Sequence, residues 1–295
     1  MVTSSRNRLC LPFAICLLIL VAGCGRIVGH FTQPLFDDLT RSFMQQGDVV
    51  IAEQGTPAFL LILDGLIEHS PHSKGLLLAG AQAYSAYTAA FVGSKEPERN
   101  KRLSEKAKDY ALRALSMHNK RFAKVKNEPY SEFVTCLGSF KEKDVPYVFY
   151  TATSWAGWIQ AHSDSMDAIA DLPKVQSLVE RVIELDESFY YGASHTIMGV
   201  LLTVRPPSLG GKPEEARKHF EKALDVGQGR LLTTYVMYAK NYAKLMYEEE
   251  LFFELLNTVL SSPVDTVSEL TLVNTLAQEQ AGDLIADARE EEYFD

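Results

Sequence analysis

Residues 232–265 follow an uninterrupted 34-residue pattern of large and small side chains, and this pattern constrains the fold more than any other feature of the sequence. Large residues stand at pattern positions 4, 7, 11 and 24, a small residue stands at position 8, and a proline stands at position 32. Side chains spaced by three and four residues lie on one face of an α-helix. The small residue lets two helices approach closely, and the large residues fill the groove between them. The stretch therefore predicts a helical hairpin with these packing residues: Tyr235, Tyr238, Ala239, Tyr242, Leu251, Leu255 and Pro263.

The second-helix spacing of four and then three recurs upstream, in the sets Ala216, Phe220, Ala223 and Ala107, Ala111, Ala114. Gly199 takes position 8 of the unit that contains Ala216. The tetratricopeptide repeat has this pattern, with each helical hairpin burying its apolar face against its neighbours. Any amphipathic helix shows the same spacing, so an irregular helical bundle is the alternative. The predicted fold class is all-α, a superhelical array of antiparallel helix pairs built from degenerate, or cryptic, tetratricopeptide repeats.

The stretch RPPSLGG at residues 205–211 interrupts one of these hairpins with five residues more than the pattern allows. Pro206 and Pro207 donate no amide hydrogen and crowd the preceding turn, so they end the first helix. Gly210 and Gly211 permit a left-handed backbone. Pro213 suits the first turn of the next helix. We predict a stiff inter-helix loop at one edge of the array.

A polar residue followed by a proline predicts a helix start at four places, which are Thr56-Pro57, Asp144 with Pro146, Asp171 with Pro173, and Lys212-Pro213. Residues 119–144 fit no repeat position, and the helices predicted between residues 73 and 118 are longer than the repeat prescribes. We therefore expect the concave groove of a regular array to be altered or filled in this protein.

The first 24 residues differ in character from the rest of the chain. Arg6 and Arg8 precede an apolar run over residues 9–22. A helix that spans a bilayer needs about 20 apolar residues, so this shorter run is typical of a secretory signal. The run ends in VAGC, and small residues before Cys24 are typical of a bacterial lipoprotein signal. The alternative is a short apolar N-terminus with an incidental cysteine.

Cleavage before Cys24 and acylation of that cysteine, with chains such as palmitate, would anchor the protein to a membrane in the bacterial periplasm. Several acyl chains together hold a protein at a bilayer, whereas one alone does so only marginally. The sequence does not distinguish the inner from the outer membrane. We predict a lipoprotein signal peptide at residues 1–23, a lipidated tether at 24–32, a single helical domain at 33–289 and an acidic C-terminal tail at 290–295. Cys136 would then be the one remaining free thiol, so no intramolecular disulfide is expected.

Several kinds of chemistry are not supported by the sequence. A formal charge of −9 disfavours nucleic acid as a partner, because phosphate binding needs a cationic surface. Gly210-Gly211-Lys212 lacks the Ser or Thr and the preceding strand of a phosphate-binding loop. We find no Ser-His-Asp order, nucleophile elbow or metal-ligand spacing. The sequence predicts no catalytic residue, no metal and no cofactor, and therefore no enzyme.

Aromatic residues at helical spacing are the candidates for contact with an apolar ligand. Trp155 and Trp158 share one helical face with Tyr150, and Tyr84 and Tyr87 form a second such stripe. His195 lies in GASHTIMG, where small residues favour close helix packing. Aromatic stripes of this kind are usually core, so the candidate ligand cavity and a core position are both open for these residues.

Ordered blocks along almost the whole mature chain resemble the T components of TPR-protein-associated TRAP transporters, which are bacterial periplasmic lipoproteins. The blocks are PAFLLILDGLIEHSP, LLLAGAQAYSAYTAAFV, RLSEKAKDYALRAL, KDVPYVFYTATSWAGWI, LPKVQSLVERVIELD, GASHTIMGV, RPPSLGGKPEEARKHFEKAL and LVNTLAQEQAGDLI. The resemblance implies an all-helical fold of cryptic repeats and a homo-oligomer, with a trimer as one option. It also implies a partner, the periplasmic solute-binding (P) component, and a role in presenting a hydrophobic or organic-acid ligand.

The leading hypothesis is a lipid-anchored scaffold that binds the solute-binding component of a TRAP transporter and binds or relays a hydrophobic or organic-acid ligand during uptake. One alternative is a stand-alone carrier of a hydrophobic molecule, which predicts a large continuous apolar cavity. The other alternative is a peptide-binding adaptor in envelope assembly, which predicts an open groove with polar clamps.

Overall fold

The computed structural model describes residue 38 and residues 40–294, except Ser94 and Pro206. Every regular element in this part of the chain is helical, which confirms the all-α prediction. The predicted signal peptide, the acylated Cys24, the tether and the predicted helix breaker Pro206 lie outside the described residues.

The first half of the described chain contains α1 (Val49–His69), α2 (Lys74–Tyr87), α3 (Pro97–His118), α4 (Lys120–Val125), α5 (Tyr130–Phe133) and α6 (Val145–Ala161). The second half contains α7 (Met166–Ala170), α8 (Leu172–Asp186), α9 (Phe189–Thr203), α10 (Pro213–Gly227), α11 (Thr233–Tyr238), α12 (Glu249–Ser261) and α13 (Thr271–Glu290). Short 3₁₀ segments connect some of them, and α2 and α11 each continue into one π-helical turn.

Each long helix packs against the next one along the chain, once the short helices α4, α5 and α7 are set aside. This order of neighbours is the one that stacked helical hairpins require. Three groups of buried apolar side chains follow it, one around α1 to α3, one around α6 to α9 and one around α10 to α13. The superhelical course of the array remains a prediction.

Three of the four predicted helix starts are confirmed, and one is wrong. Helices α6, α8 and α10 begin with a proline in their first turn, as predicted. Helix α1 begins at Val49, and Pro57 lies inside it. Asp48 caps this helix, because its Oδ1 accepts hydrogen bonds from the amides of Val50 at 3.0 Å and Ile51 at 3.1 Å. One side chain in nearly every turn of α1 is buried, both before and after Pro57, and this burial stabilises the helix across the proline.

Helices α9 and α10 form the hairpin that the inserted loop interrupts. Gly199 of α9 lies directly against the ring of Phe220 of α10, which is fully buried. Ala216 and Ala223 of the same helix are also buried, as side chains that let two helices approach closely would be. Helix α9 ends at Thr203, and the connecting residues include a 3₁₀ turn at Pro207–Leu209.

The loop between α9 and α10 closes tightly on the end of α9. The Lys212 amide donates a hydrogen bond to the Leu202 carbonyl at 2.8 Å, and the Gly210 amide donates to the Pro207 carbonyl at 3.1 Å. Gly210 has a φ of 89°, so the predicted left-handed glycine is present. Gly211 follows it immediately before the N-cap of α10.

Helices α11 and α12 form the hairpin predicted from residues 232–265. Four of the seven packing residues are buried, and these are Tyr238, Ala239, Tyr242 and Leu255. The side chains of Tyr235 and Leu251 are half-buried, and Pro263 follows the end of α12. The π-helical turn Ala239–Ala243 begins at the small residue of position 8. A matching turn, Thr88–Val92, follows Tyr84 and Tyr87 in α2. Both units therefore have Tyr-x-x-Tyr followed by a π-helical turn, which supports an internal repeat.

Residues 119–144, which fit no repeat position, fill the interior beside α6 and α8. Their short helical pieces bury Phe122, Phe133 and Phe140 completely. Phe133 meets the edge of Trp155 with ring centroids 6.2 Å apart. An aromatic plug of this kind occupies space that a regular repeat array would leave as a groove.

The two ends of the described chain meet. Gln45 Nε2 lies 3.4 Å from Ser268 Oγ, and α1 contacts α13. In an open repeat array each unit contacts only its neighbours, so this contact is a departure from the simple pattern. At the other end, Tyr293 and Phe294 of the predicted acidic tail pack on their own chain, where Phe294 meets Phe252 with ring centroids 5.2 Å apart.

Candidate functional site

The residues that the sequence nominated for a ligand cavity lie in five different environments. Trp155 is 3% exposed and belongs to the central core. Its indole Nε1 donates a hydrogen bond to Asp171 Oδ2 at 3.1 Å, while Lys174 lies near the ring face. Trp155 is therefore packed on one side and hydrogen-bonded on the other, which is the arrangement of a core tryptophan.

Trp158 is half-buried and lies under a cation. Lys108 Nζ is 3.0 Å from the centroid of the indole ring, and the indole nitrogen donates a hydrogen bond to Glu105. Burial lowers the pKa of Lys108, and the nearby carboxylates of Glu105 and Asp171 oppose that shift. The cation–π contact ties α3 to α6 at the protein surface.

Tyr84 belongs to a polar cluster between the first three helices, whereas the Tyr87 hydroxyl accepts a hydrogen bond from Arg99 Nη2 at 2.8 Å. Asp64 of α1 accepts hydrogen bonds from Tyr84 at 2.7 Å, Tyr110 at 2.8 Å and Lys106 at 2.5 Å. Burial alone would raise the pKa of Asp64, but these three donors outweigh it and lower that pKa. Burial, followed by the bond to Asp64, raises the pKa of Tyr110 to about 12. The cluster uses its donors internally, which indicates a structural role.

His195 faces a second histidine across the α9–α10 hairpin. Its Nδ1 lies 2.9 Å from His219 Nδ1, so one imidazole donates a hydrogen bond to the other. Burial lowers the pKa of both residues, and His195 lowers the pKa of His219 further. Glu187 opposes the shift of His195 from 3.6 Å away. The pair is therefore a neutral hydrogen-bonded contact at neutral pH.

Tyr150 lies at the other end of α6 from the tryptophans, in a group with Phe149, Phe189 and Tyr190. The ring centroids of Phe149 lie 5.1 Å from those of both Tyr150 and Phe189. Burial raises the pKa of Tyr150 and of Tyr190. Neither phenol oxygen has a hydrogen-bond partner among the described residues. We call Phe149, Tyr150, Phe189 and Tyr190 the aromatic site.

The backbone beside the aromatic site is strained. Tyr190, Tyr191 and Gly192 have φ values of 48°, 58° and 76°, which is one left-handed turn at the start of α9. A residue with a side chain costs about 1–2 kcal/mol in this conformation. Tyr191 donates a hydrogen bond to Glu269 Oε1 at 2.7 Å, and a Cβ at Gly227 would lie 2.5 Å from the Tyr191 carbonyl oxygen. Contacts on both sides therefore hold the turn in place.

Strained backbone is concentrated at functional sites, because the surrounding fold must keep it in place. The left-handed turn places Tyr190 against α6, and two phenol groups there are free to donate to a ligand. An apolar molecule with a polar group would find stacking surfaces and hydrogen-bond donors in one place. The aromatic site is the best candidate for ligand contact in the described part of the chain.

Sequence reasoning named Tyr150 of this group and missed the other three residues. The run SFYYG at residues 188–192 holds the available signal, since three aromatic residues stand directly before a glycine. Elsewhere, no group of three or more His, Cys, Asp or Glu side chains within the described residues could hold a metal ion. Cys136 is buried, and burial raises the pKa of its thiol to about 11.

Comparison with known proteins identifies relatives along nearly the whole chain. A family model described as "TRAP transporter T-component" matches residues 45–294. A protein of Treponema pallidum (strain Nichols), described as an uncharacterized protein, is 24% identical over 307 aligned residues. That alignment covers 92% of this chain and 93% of the relative.

Proposed function

The chain belongs to the TRAP transporter T-component family, and from this membership we propose that it is a lipid-anchored periplasmic scaffold that binds the solute-binding component of a TRAP transporter. The family is associated with transport and is not an enzyme family. The family match over residues 45–294 carries the proposal, because it covers the whole helical domain. In this proposal the helices form a superhelical array of tetratricopeptide-like hairpins.

The scaffold would act by confinement. Acyl chains on Cys24 would keep it within a thin layer at the membrane. A solute-binding protein held there meets its membrane partner at a higher effective concentration, without any new contact to that partner. Replacing Cys24 with serine should therefore release the protein from the membrane fraction and lower uptake, while binding to the solute-binding protein in solution stays unchanged.

The aromatic site supports a further part of the proposal, which is that the protein binds or relays a hydrophobic or organic-acid ligand. Tyr150 and Tyr190 present phenol groups that have no hydrogen-bond partner in the described part of the chain, next to the apolar rings of Phe149 and Phe189. The other nominated residues give weaker support to ligand binding, because contacts within the protein account for their positions. These residues are Trp155, Trp158, Tyr84, Tyr87 and His195.

Affinity capture tests the partner. The mature chain, expressed without its lipid and immobilised, should retain the solute-binding protein of its own transporter from a periplasmic extract. A solute-binding protein from an unrelated transporter serves as the control. Equal retention of both would contradict a specific scaffold, and capture of extended peptides instead would favour the envelope-assembly adaptor.

Analysis of co-purified molecules tests the ligand. Replacing Tyr150 and Tyr190 together with Phe removes both phenol donors and keeps the rings, so we expect less bound ligand with little change in unfolding free energy. Equal ligand content in the variant and the natural protein would contradict the assignment of the aromatic site. Ligand retained in the absence of any solute-binding partner would favour the stand-alone carrier.

A further inference from the structure

A cavity lies far from the aromatic site along the chain, where the turn between α1 and α2 meets the carboxyl-terminal end of α3. Its volume is about 300 Å³. Ligand pockets in proteins begin at about this size. Six residues line it, and they are Pro71, His72, Arg113, Ser116, Met117 and Lys126.

Two cations line this cavity, and one nearby carboxylate offsets one of them. Arg113 Nη1 forms an ion pair with Asp109 Oδ2 at 3.1 Å, and its Nη2 donates a hydrogen bond to the Pro71 carbonyl at 3.3 Å. Lys126 Nζ contacts only the neutral Oδ1 of Asn127, at 3.3 Å, among the described residues. The lining and its immediate partners thus carry one net positive charge.

Ser116 adds a hydrogen-bond donor that the fold does not use. Its Oγ is buried and has no hydrogen-bond partner within the described part of the chain. A serine hydroxyl in a helix commonly donates to the carbonyl four residues earlier, and Ser116 does not do so. A buried polar atom without a partner destabilises the folded protein. The Ser116 Oγ is closed off from solvent, so a ligand oxygen reaches it only when the side chain turns toward the cavity, and the hydrogen bond formed then would remove this cost.

We propose that this cavity binds a carboxylate that carries a short apolar body. One net positive charge balances one negative charge, and a carboxylate can accept from the arginine, the lysine and the serine together. Pro71 and Met117 supply apolar wall for the remainder of the ligand. The assignment deepens the proposed function, because it gives an organic-acid ligand a site, and it rests on that function for its place in uptake.

Calorimetric titration of the mature chain, expressed without its lipid, with octanoate tests the site directly. Octanoate should bind saturably, and 1-octanol, which has the same apolar body without the charge, should bind about tenfold more weakly. Equal binding of both molecules would overturn the proposal, because the cations would then contribute nothing. Tighter binding of inorganic phosphate than of octanoate would also overturn it, since the site would then take a free oxyanion.

Three variants assign the affinity to this cavity. Lys126→Gln and Arg113→Gln should each weaken octanoate binding about tenfold and reduce its dependence on salt. Ser116→Ala should weaken binding about fivefold and raise the unfolding free energy, because it removes a buried hydroxyl that has no partner among the described residues. Lys120→Gln on the exposed start of α4 is the matched control and should keep the natural affinity.

Unchanged octanoate affinity in both Lys126→Gln and Ser116→Ala would place binding elsewhere and overturn the site. The solute-binding protein plays no part in this titration. If octanoate fails to bind but affinity capture succeeds, only the proposed carboxylate site in the cavity is refuted. If octanoate binds but affinity capture fails, only the proposed scaffold function is refuted.

Discussion

At the scale of single residues, Gly199 and Phe220 make a close contact in the α9–α10 hairpin. A Cβ added at Gly199 would lie 2.8 Å from the Phe220 ring, which is buried and cannot move aside. We expect Gly199→Ala to lower the unfolding free energy by about 1–3 kcal/mol, the usual cost of overpacking a core. Urea unfolding followed by circular dichroism measures this.

Gly157 of α6 provides the matched control. It also lies within a helix, but a Cβ there would meet nothing within 4 Å. Gly157→Ala should therefore stabilise the protein by up to about 1 kcal/mol through helix propensity. If both substitutions shifted the unfolding free energy in the same direction, the Phe220 ring would not exclude a Cβ at Gly199, and the close contact would not limit the stability of the hairpin.

The His195–His219 pair makes stability depend on pH. Burial lowers the pKa of both imidazoles in the folded protein, whereas in the unfolded chain they titrate near 6.5. The unfolded state therefore binds more protons as the pH falls below about 6.5, and the unfolding free energy should decrease between pH 7.5 and pH 5.5. Urea unfolding at the two pH values tests this.

Substitution of one histidine identifies the source of that pH dependence. His219→Gln removes one titrating group and the repulsion it exerts on His195, so the loss of stability between pH 7.5 and pH 5.5 should be smaller. Asp64 does not interfere, because its lowered pKa affects stability only below about pH 3.8. An equal loss in the variant and the natural protein would exclude the histidine pair as the cause.

At the scale of helices, local chemistry explains which starts the sequence predicted correctly. Pro146, Pro173 and Pro213 each stand at one of the first two positions of an α-helix, where a missing amide hydrogen removes no hydrogen bond within the helix. Pro57 looks the same in the sequence, yet it follows eight helical residues. The Asp48 cap and the buried side chains of Ala52 and Leu60 on either side of the proline outweigh its missing hydrogen bond.

The Asp48 cap gives a prediction about α1. Asp48→Ala removes the acceptor for two backbone amides and should lower the unfolding free energy by about 0.5–2 kcal/mol. Asp48→Asn keeps a side-chain oxygen and should cost much less. Thermal unfolding of the two variants checks this, and equal losses would indicate that charge, rather than the cap hydrogen bonds, stabilises the helix start.

Two elements could not be predicted from the sequence for physical reasons. The left-handed turn of Tyr190 and Tyr191 uses residues that disfavour positive φ, and only contacts from Gly227 and Glu269, distant in the sequence, hold it. Residues 119–144 form helical pieces too short to show a period, so their role as an aromatic plug depends on tertiary packing. The aromatic site depends on the first of these elements, which explains why sequence reasoning found only Tyr150.

At the scale of the whole molecule, the fold class, the order of helix neighbours and the α9–α10 and α11–α12 hairpins follow from the repeat pattern. The contact between α1 and α13 does not, because a repeat pattern carries no information about where its ends lie. Helix α1 is long and apolar enough to span a membrane by composition alone, although it packs its inner face against α2. Its outer face exposes Val50, Ile51, Leu61 and Ile62.

This outer face offers a contact surface for the homo-oligomer that the family resemblance implies. Paired antiparallel about Ala58, two copies of α1 would place Ile51 of one copy opposite Gly65 of the other, so that a large side chain meets a small one. We expect the mature protein to self-associate, and Ile51→Lys or Ile62→Lys to shift it to monomer in sedimentation velocity. Met166→Lys, which replaces an exposed apolar residue on α7, is the control. Loss of self-association in the control as well would contradict the assignment to α1.

The central claim is that this protein is a scaffold for the solute-binding component of a TRAP transporter. Sedimentation velocity of the purified mature chain, mixed with the solute-binding protein of its own transporter, measures this association in solution. The account predicts a new, faster-sedimenting species that contains both proteins and that does not form with an unrelated solute-binding protein. Two independent boundaries at every concentration would contradict it.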